Sequence, residues 1–265
     1  MRERVLSALR TMNSYNEKGD AVKIIKVASK IDRGISFIVF GNPGAGKTTL
    51  ATTLPVGETL IVNSECGLGP LLGTGHYVFN LRDTTMSVED TVSELHRKLK
   101  TKTLEIKGIK NIVIDNMSEL VELLILDYTS QRSKKFPELK EHGDAAYKVR
   151  EIMHNFRDLV YDGYNVVFNA WEFIKEIRSS DGVMLSKTIP MIGNKIAFQM
   201  AGIVDCVGHL EVYEKTGKRW LRFGPSSQYL TKTQFRGLDD GEVADLPRII
   251  TKLKEFDYSE SGEEK

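Results

Sequence analysis

Cysteine is nearly missing from this chain. Of 265 residues only Cys66 and Cys206 carry thiols. Their distant, isolated positions exclude a CxxC metal knuckle and argue against a disulfide framework, leaving two buried thiols in a reducing compartment. Long apolar runs are missing too. No segment reaches the ~18–20 apolar residues of a membrane span, and the apolar stretches of MRERVLSALRTMNSYNEKGD are too short for a signal-peptide core. No membrane partner and a cytoplasmic location are therefore expected. Nor does one charge sign dominate: 37 Lys and Arg against 36 Asp and Glu leave a formal charge of +1. That excludes a globally basic polyanion binder but permits a local basic groove. No repeat, low-complexity tract or Pro/Gly/Ser linker divides the sequence.

What remains is ordinary for a soluble core: 41% hydrophobic and 28% charged residues, enough chain for one large α/β domain without staples. The pattern predicts a helical segment over 1–21, a main domain over 22–254 and an acidic, disordered tail over 255–265. Strand-like runs are VKIIKVAS (22–29), ISFIVFG (35–41), TLIVN (59–63), HYVFNL (76–81), NIVID (111–115) and YNVVFNA (164–170). Between them, TTLATTL reads as a short helix stopped by Pro55. MSVEDTVSELHRKLK reads as an amphipathic helix capped by Ser87. SELVELLILDYTSQR and DAAYKVREIMHNFRDLVYDG supply two more helices, the last ending at Gly163. Strands that are almost continuously apolar and alternate with helices predict a parallel sheet covered on both faces. After about residue 195, turn signals at Lys215–Lys218 and Gly224–Ser226 predict an antiparallel meander at one edge.

The strongest motif is GNPGAGKT. Gly41, Asn42, Pro43, Gly44, Ala45, Gly46, Lys47 and Thr48, followed by Thr49, match the P-loop pattern at every fixed position, with a strand before and a helix after. Its glycines let successive backbone N–H groups turn inward around phosphate oxygens. Lys47 adds a mobile positive charge and Thr48 a hydroxyl for Mg²⁺, so a nucleoside triphosphate with magnesium is the expected ligand. Asp115, ending the strand NIVID, is the candidate second magnesium residue; the alternative is a cap for the helix that follows. Glu65, just beyond TLIVN at the sheet end where ligands of open α/β folds collect, is the candidate base toward an attacking water; the alternative is a solvated loop glutamate. The GTPase base-reading N-K-x-D is absent, since Asn194-Lys195-Ile196-Ala197 lacks the aspartate. No transporter signature and no short Arg-rich kinase lid are seen.

GNPGAGKTTLATTLP, LIVNSE, IVIDN and DCVGHLEVYEKTGKRWLRFGPSSQYLTKT, in this order, resemble phage-borne P-loop ATPases with a RecA-type core, including single-strand annealing proteins of the Sak-four type. The resemblance spans roughly residues 22–250. It implies a RecA-like fold, ATP as the nucleotide and Glu65 as the catalytic glutamate. It also implies a polar sensor of the γ-phosphate after YNVVFN, where Trp171 stands in place of the usual Gln or His and Asn169 or Glu172 could serve. It implies single-stranded DNA as partner, bound through loops 131–150 and 174–195 with Arg132, Lys134, Lys135 and Arg178 as contacts and Phe136 available for stacking. A homo-oligomeric ring or filament is implied, with Lys232, and less directly Arg236, reaching the next protomer's γ-phosphate; a single-strand DNA-binding protein is a further possible partner. Two other classes stay open: a small-molecule phosphotransferase, which a closed pocket at the γ-phosphate would mark, and a non-hydrolysing switch that regulates a helicase.

Overall fold

The computed structural model describes residues 29–65, 67–178, 182 and 184–258. The expected helix over 1–21, Cys66, the tail beyond Tyr258 and all of the strand at 22–29 except Ser29 lie outside them. Five parallel strands form the heart of the sheet: β1 (Ser36–Gly41), β2 (Thr59–Asn63), β3 (Tyr77–Asn80), β4 (Asn111–Asp115) and β5 (Asn165–Arg178). They stand in the order β1-β5-β4-β2-β3, so one strand separates the P-loop strand from the strand that ends in Asp115. The other edge continues through β7 (Cys206–Tyr213), parallel to β1, and then β8 (Lys218–Arg222) and β10 (Gly241–Val243), both antiparallel to their neighbours. The short β9 (Lys232–Thr233) pairs with β7.

Helices cover both faces because the central strands are apolar on both sides. On β1, Ile38 and Phe40 face one core, built with α2 (Val88–Thr101), α3 (Met117–Gln131), α4 (Leu139–Asp158) and α5 (Asn194–Ile203). Phe37 and Val39 face the other, packed on α1 (Lys47–Ala51) and α6 (Leu246–Glu255). This is a P-loop NTPase fold, with the parallel sheet, two-sided helix cover and late antiparallel strands expected from the sequence.

Three departures have physical causes. The strand at 164–170 does not stop at Ala170; β5 runs on to Arg178 and pairs with β6 (Met184–Pro190), so a hairpin replaces most of the loop expected at 174–195. Phe173 and Lys175 share one face of the extension and Ile174 and Glu176 the other, so each face mixes apolar and charged residues and lacks the two-faced apolarity of the sheet. The region after residue 195 is not purely a meander: α5 and α6 interrupt it, and α6 is capped by Asp245, which accepts from the Arg248 N–H at 3.0 Å with Pro247 in the first turn. The folded domain also passes the boundary expected at 254. Glu255 ends α6, the Phe256 and Tyr258 rings meet at 4.9 Å, and the Tyr258 N–H donates to the Ser29 carbonyl at 3.0 Å.

One buried ion pair ties the start of β1 to the start of β7. Asp205 accepts from Arg33 Nη1 and Nη2 at 2.9 and 2.6 Å and from the Ser36 N–H and hydroxyl at 2.8 Å each. Burial pushes its pKa up, but the bonds from Arg33 and Ser36 outweigh burial and hold it below the ordinary aspartate value. A lowered carboxyl contributes stability above its unfolded pKa and loses it as pH falls through the folded value. Asp205→Ala should therefore lower the unfolding free energy in urea by about 3 kcal/mol at pH 7, because it strands a half-buried guanidinium. The gap to wild type should shrink below about pH 4.

Candidate functional site

The site forms where the C-terminal ends of β1, β5, β4 and β2 line up. Gly41 is level with Trp171, Val39 with Asn169, and Asn63 with Asp115. From Gly41 the chain turns through Asn42 and Pro43 to Gly44 and Gly46, at φ 81° and 95°. Left-handed backbone of this kind is what glycine tolerates, and here it starts α1 directly after the loop. Lys47 is 6% exposed, and its Nζ donates to the Gly41 and Asn42 carbonyls at 2.8 and 2.9 Å. Burial lowers its pKa, while the charges of Asp115, Glu65 and Glu172 oppose the shift. Thr48 follows on the same turn of α1, and Thr49 is exposed on its flank.

Asp115 is 4% exposed and accepts from Asn169 Nδ2 at 3.1 Å. It does not cap α3. That task falls to Asn116, whose Oδ1 accepts from the Glu119 N–H at 2.8 Å. Two neighbouring residues able to cap made the assignment ambiguous in sequence; the structure leaves the Asp115 carboxylate to the site.

Glu65 is held rather than solvated. Asn116 Nδ2 donates to its Oε1, and Trp171 stands close enough to hold its pKa down in small part. Burial and then the Asp115 charge raise its pKa, and Lys47 lowers it in part. The loop that carries Glu65 is fixed by Ser64, which exchanges bonds with Asn116 at 2.7 and 2.9 Å, and by Arg82, which donates to the Ser64 carbonyl at 3.1 Å and pairs with Glu119.

Asn169 is 1% exposed, and its Oδ1 has no hydrogen-bond partner among the described residues. Glu172 Oε2 lies 2.8 Å from His209 Nε2, and the His209 ring stacks on Tyr229 at 4.1 Å. Glu172 thus belongs to a chain that runs through His209 and Glu211 to Arg222.

These observations test whether magnesium suits the site. Among the described residues no group of three or more His, Cys, Asp or Glu makes a ready cage. Magnesium needs none, since it keeps waters and takes one or two carboxylates plus phosphate oxygens. The Thr48 hydroxyl, the buried Asp115 carboxylate and the unpartnered Asn169 oxygen fit that demand.

Other expected residues lie elsewhere. Lys232 Nζ donates to the Gly202 carbonyl, in the last turn of α5, at 3.2 Å, and the Arg236 carbonyl accepts from the Tyr258 hydroxyl at 3.3 Å; both positions lie away from the P-loop of the same chain. Arg132 pairs with Glu141 at 2.7 Å and with Asp144, while Lys134 pairs with Glu138 and Glu141 at 2.9 Å each. Lys135 sits over the Phe136 ring at 5.4 Å, and Arg178 is exposed near the end of β5. One basic residue was missed altogether. Arg219 on β8 donates through Nε to the Ala45 carbonyl at 2.9 Å, and a Cβ added at Gly46 would meet that Nε at 2.4 Å. No local motif marks it, because the sheet alone brings it to the loop.

A family model described as an AAA domain matches residues 33–235. Comparison with curated proteins gives no match.

Glu65 yields a stability test. A carboxyl with a raised folded pKa contributes most stability when protonated, below its unfolded value, and loses it as pH rises through the folded value. Glu65→Gln should accordingly melt above wild type at pH 7 and converge with it below about pH 4, as followed by circular dichroism. A variant that melts below wild type at pH 7 would contradict the strained, charged Glu65 described above.

Proposed function

This chain belongs to the AAA-domain family of P-loop ATPases, and from that premise we propose that it hydrolyses ATP with magnesium while acting on single-stranded DNA, in phage recombination, annealing or replication. The observation that carries the ATPase reading is the convergence of Lys47, Glu65 and Asp115, near enough for each carboxylate to act on the lysine's charge. Backbone N–H groups of the loop cradle the phosphates, and Lys47 exchanges its two carbonyl partners for phosphate oxygens. Thr48 and Asp115 would hold magnesium, which offsets charge on the phosphate oxygens. Glu65, with its pKa raised, accepts a proton from the attacking water more readily than an ordinary glutamate. Asn116 aims its carboxylate, and the Asn169 oxygen offers the water an acceptor. The insertion of β5 between β1 and β4 agrees with a RecA-type core.

Support for the DNA reading is the β5–β6 arm. It rises from Trp171 and Glu172 at the γ-phosphate end and carries Lys175, Lys187 and the exposed Arg178. Arg132 and Lys134 are spent on ion pairs with α4 and its N-cap, so the contact set narrows to Arg178 and Lys135. Turnover of ATP should rise when single-stranded DNA is added. Lys47→Met should abolish it, and Glu65→Gln should slow it by about 10²–10⁴-fold while nucleotide still binds. Arg178→Ala with Lys135→Ala should flatten the salt dependence of DNA binding by about two counterions. Turnover in folded Lys47→Met would end the ATPase reading; wild-type protein that binds no nucleic acid with or without ATP would end the DNA reading.

The same proposal includes a homo-oligomer in which Lys232 and Arg236 serve the neighbouring P-loop. Its support is their distance in the fold from their own loop, together with a basic pair at a sheet edge. An edge lysine also serves simply to block strand pairing, so the measurement must separate the two. Lys47→Met and Lys232→Ala protomers, each inactive alone, should recover activity when mixed, because a mixed interface can join an intact loop to an intact finger. Full turnover by Lys232→Ala protein would exclude the role in trans.

A further inference from the structure

A triphosphate has two ends, and the carboxylates settle which way it lies. Glu65, Asp115 and Glu172 all act on Lys47, so the γ-phosphate and the attacked bond belong on that side. The nucleoside must then leave the loop by the opposite flank, past Thr48 and Thr49. Directly there, between α1 and the edge formed by β8 and β10, lies a cavity of 460 Å³ lined by Thr49, Thr53, Arg219, Val243 and Ala244, among others. We propose that this cavity receives the ribose and base of the bound nucleotide, with Arg219 as the clamp that joins it to the phosphate loop.

Three observations carry the assignment. The cavity is continuous with the loop, since its wall starts at Thr49, one residue past Thr48, and Arg219 spans from β8 to the Ala45 carbonyl. Its size lies within the range of small-molecule sites, and its walls join apolar surface from Leu50, Val243 and Ala244 to a few polar groups, the usual make-up of such sites. Two other cavities do not compete. One of 340 Å³, lined by Leu99, Lys110 and Tyr164, sits where β4 and β5 begin, at the opposite end of the strands. Another of 560 Å³ lies between α4 and α5, lined by Tyr147, His154 and Gln199. Neither touches the P-loop. Thr53 fixes the floor: its hydroxyl donates to the Leu50 carbonyl and accepts from the Leu246 N–H at 3.2 Å, so α1 and α6 keep one geometry there.

This inference rests on the ATPase reading, and inorganic tripolyphosphate separates the two because it has phosphates but no nucleoside. Calorimetry on the full chain with magnesium should show ATP binding about tenfold or more tighter than tripolyphosphate. Ala244→Phe, which pushes a ring into the cavity, should bring that ratio close to one and leave tripolyphosphate affinity within about twofold of wild type. Photolabelling of wild type with 8-azido-ATP needs no variant and should mark the segments 217–220 or 243–246. Equal affinities for ATP and tripolyphosphate in wild type, an undiminished ratio in folded Ala244→Phe, or a label confined to other segments would each overturn the proposal. Tripolyphosphate and ATP both failing to bind would instead remove the phosphate nest itself.

Discussion

A lysine ammonium taken almost wholly out of water is the constraint around which the C-terminal end of the sheet is arranged. Burying an unpaired ammonium is prohibitive, so Lys47 borrows two backbone carbonyls from the loop that precedes it. Those carbonyls are available only because Gly44 and Gly46 take left-handed conformations that fold the loop back on itself. Three carboxylates around the lysine supply the rest of the compensation, and they bring their own cost. Glu65, pressed by burial and by Asp115, is stable as an anion only while its donors stay in place. Function asks for this unstable balance, since a carboxylate already poised toward protonation is the one that accepts a proton from water.

Strand β5 distributes that balance. Its first residue bridges strands: Asn165 accepts from the Ile35 N–H and donates to Asn111. Further along, Asn169 donates to Asp115, Trp171 stands beside Glu65 and Glu172 meets His209. Placing this strand between β1 and β4 means that one rigid element touches every charged group of the site except the loop itself. The same strand continues into the arm with β6, with no turn or break between Trp171 and Arg178.

Much of this was legible in the sequence, and the reasons differ by residue. Ile112, Val113 and Ile114 need burial on both faces, which only a central strand gives, so NIVID and the place of Asp115 could be read directly. The P-loop was legible because its glycines and Lys47 are demanded by backbone geometry rather than by neighbours. Choosing between Asp115 and Asn116 as helix cap was not possible, because both side chains can accept from an N–H three residues on and only the fold decides which faces the helix. Helix α5 was hidden because GNKIAFQMAGI is flanked by strand-like runs and was read with them. Arg219 was invisible for a different reason: its partner Ala45 is far away along the chain, and the pairing of β7 with β8 alone sets them side by side.

Charge runs were the least reliable guide, and loop 132–138 shows why. Arg132, Lys134 and Lys135 look like a basic patch in sequence, yet two of the three are consumed by Glu138, Glu141 and Asp144 one helical turn or two further on. Glu141 is held near 2 by Lys134 first and Arg132 next, and through the capping box its side chain also accepts from the Glu138 N–H at 2.9 Å. The local geometry that starts α4 therefore pairs those cations with acids of the same segment. Arg178 has a different situation, in a strand whose cross-strand partner is Met184, where pairing offers it no carboxylate. Whether a basic residue is available to a polyanion thus depends less on the count of like charges around it than on whether its own secondary structure places an acid within reach.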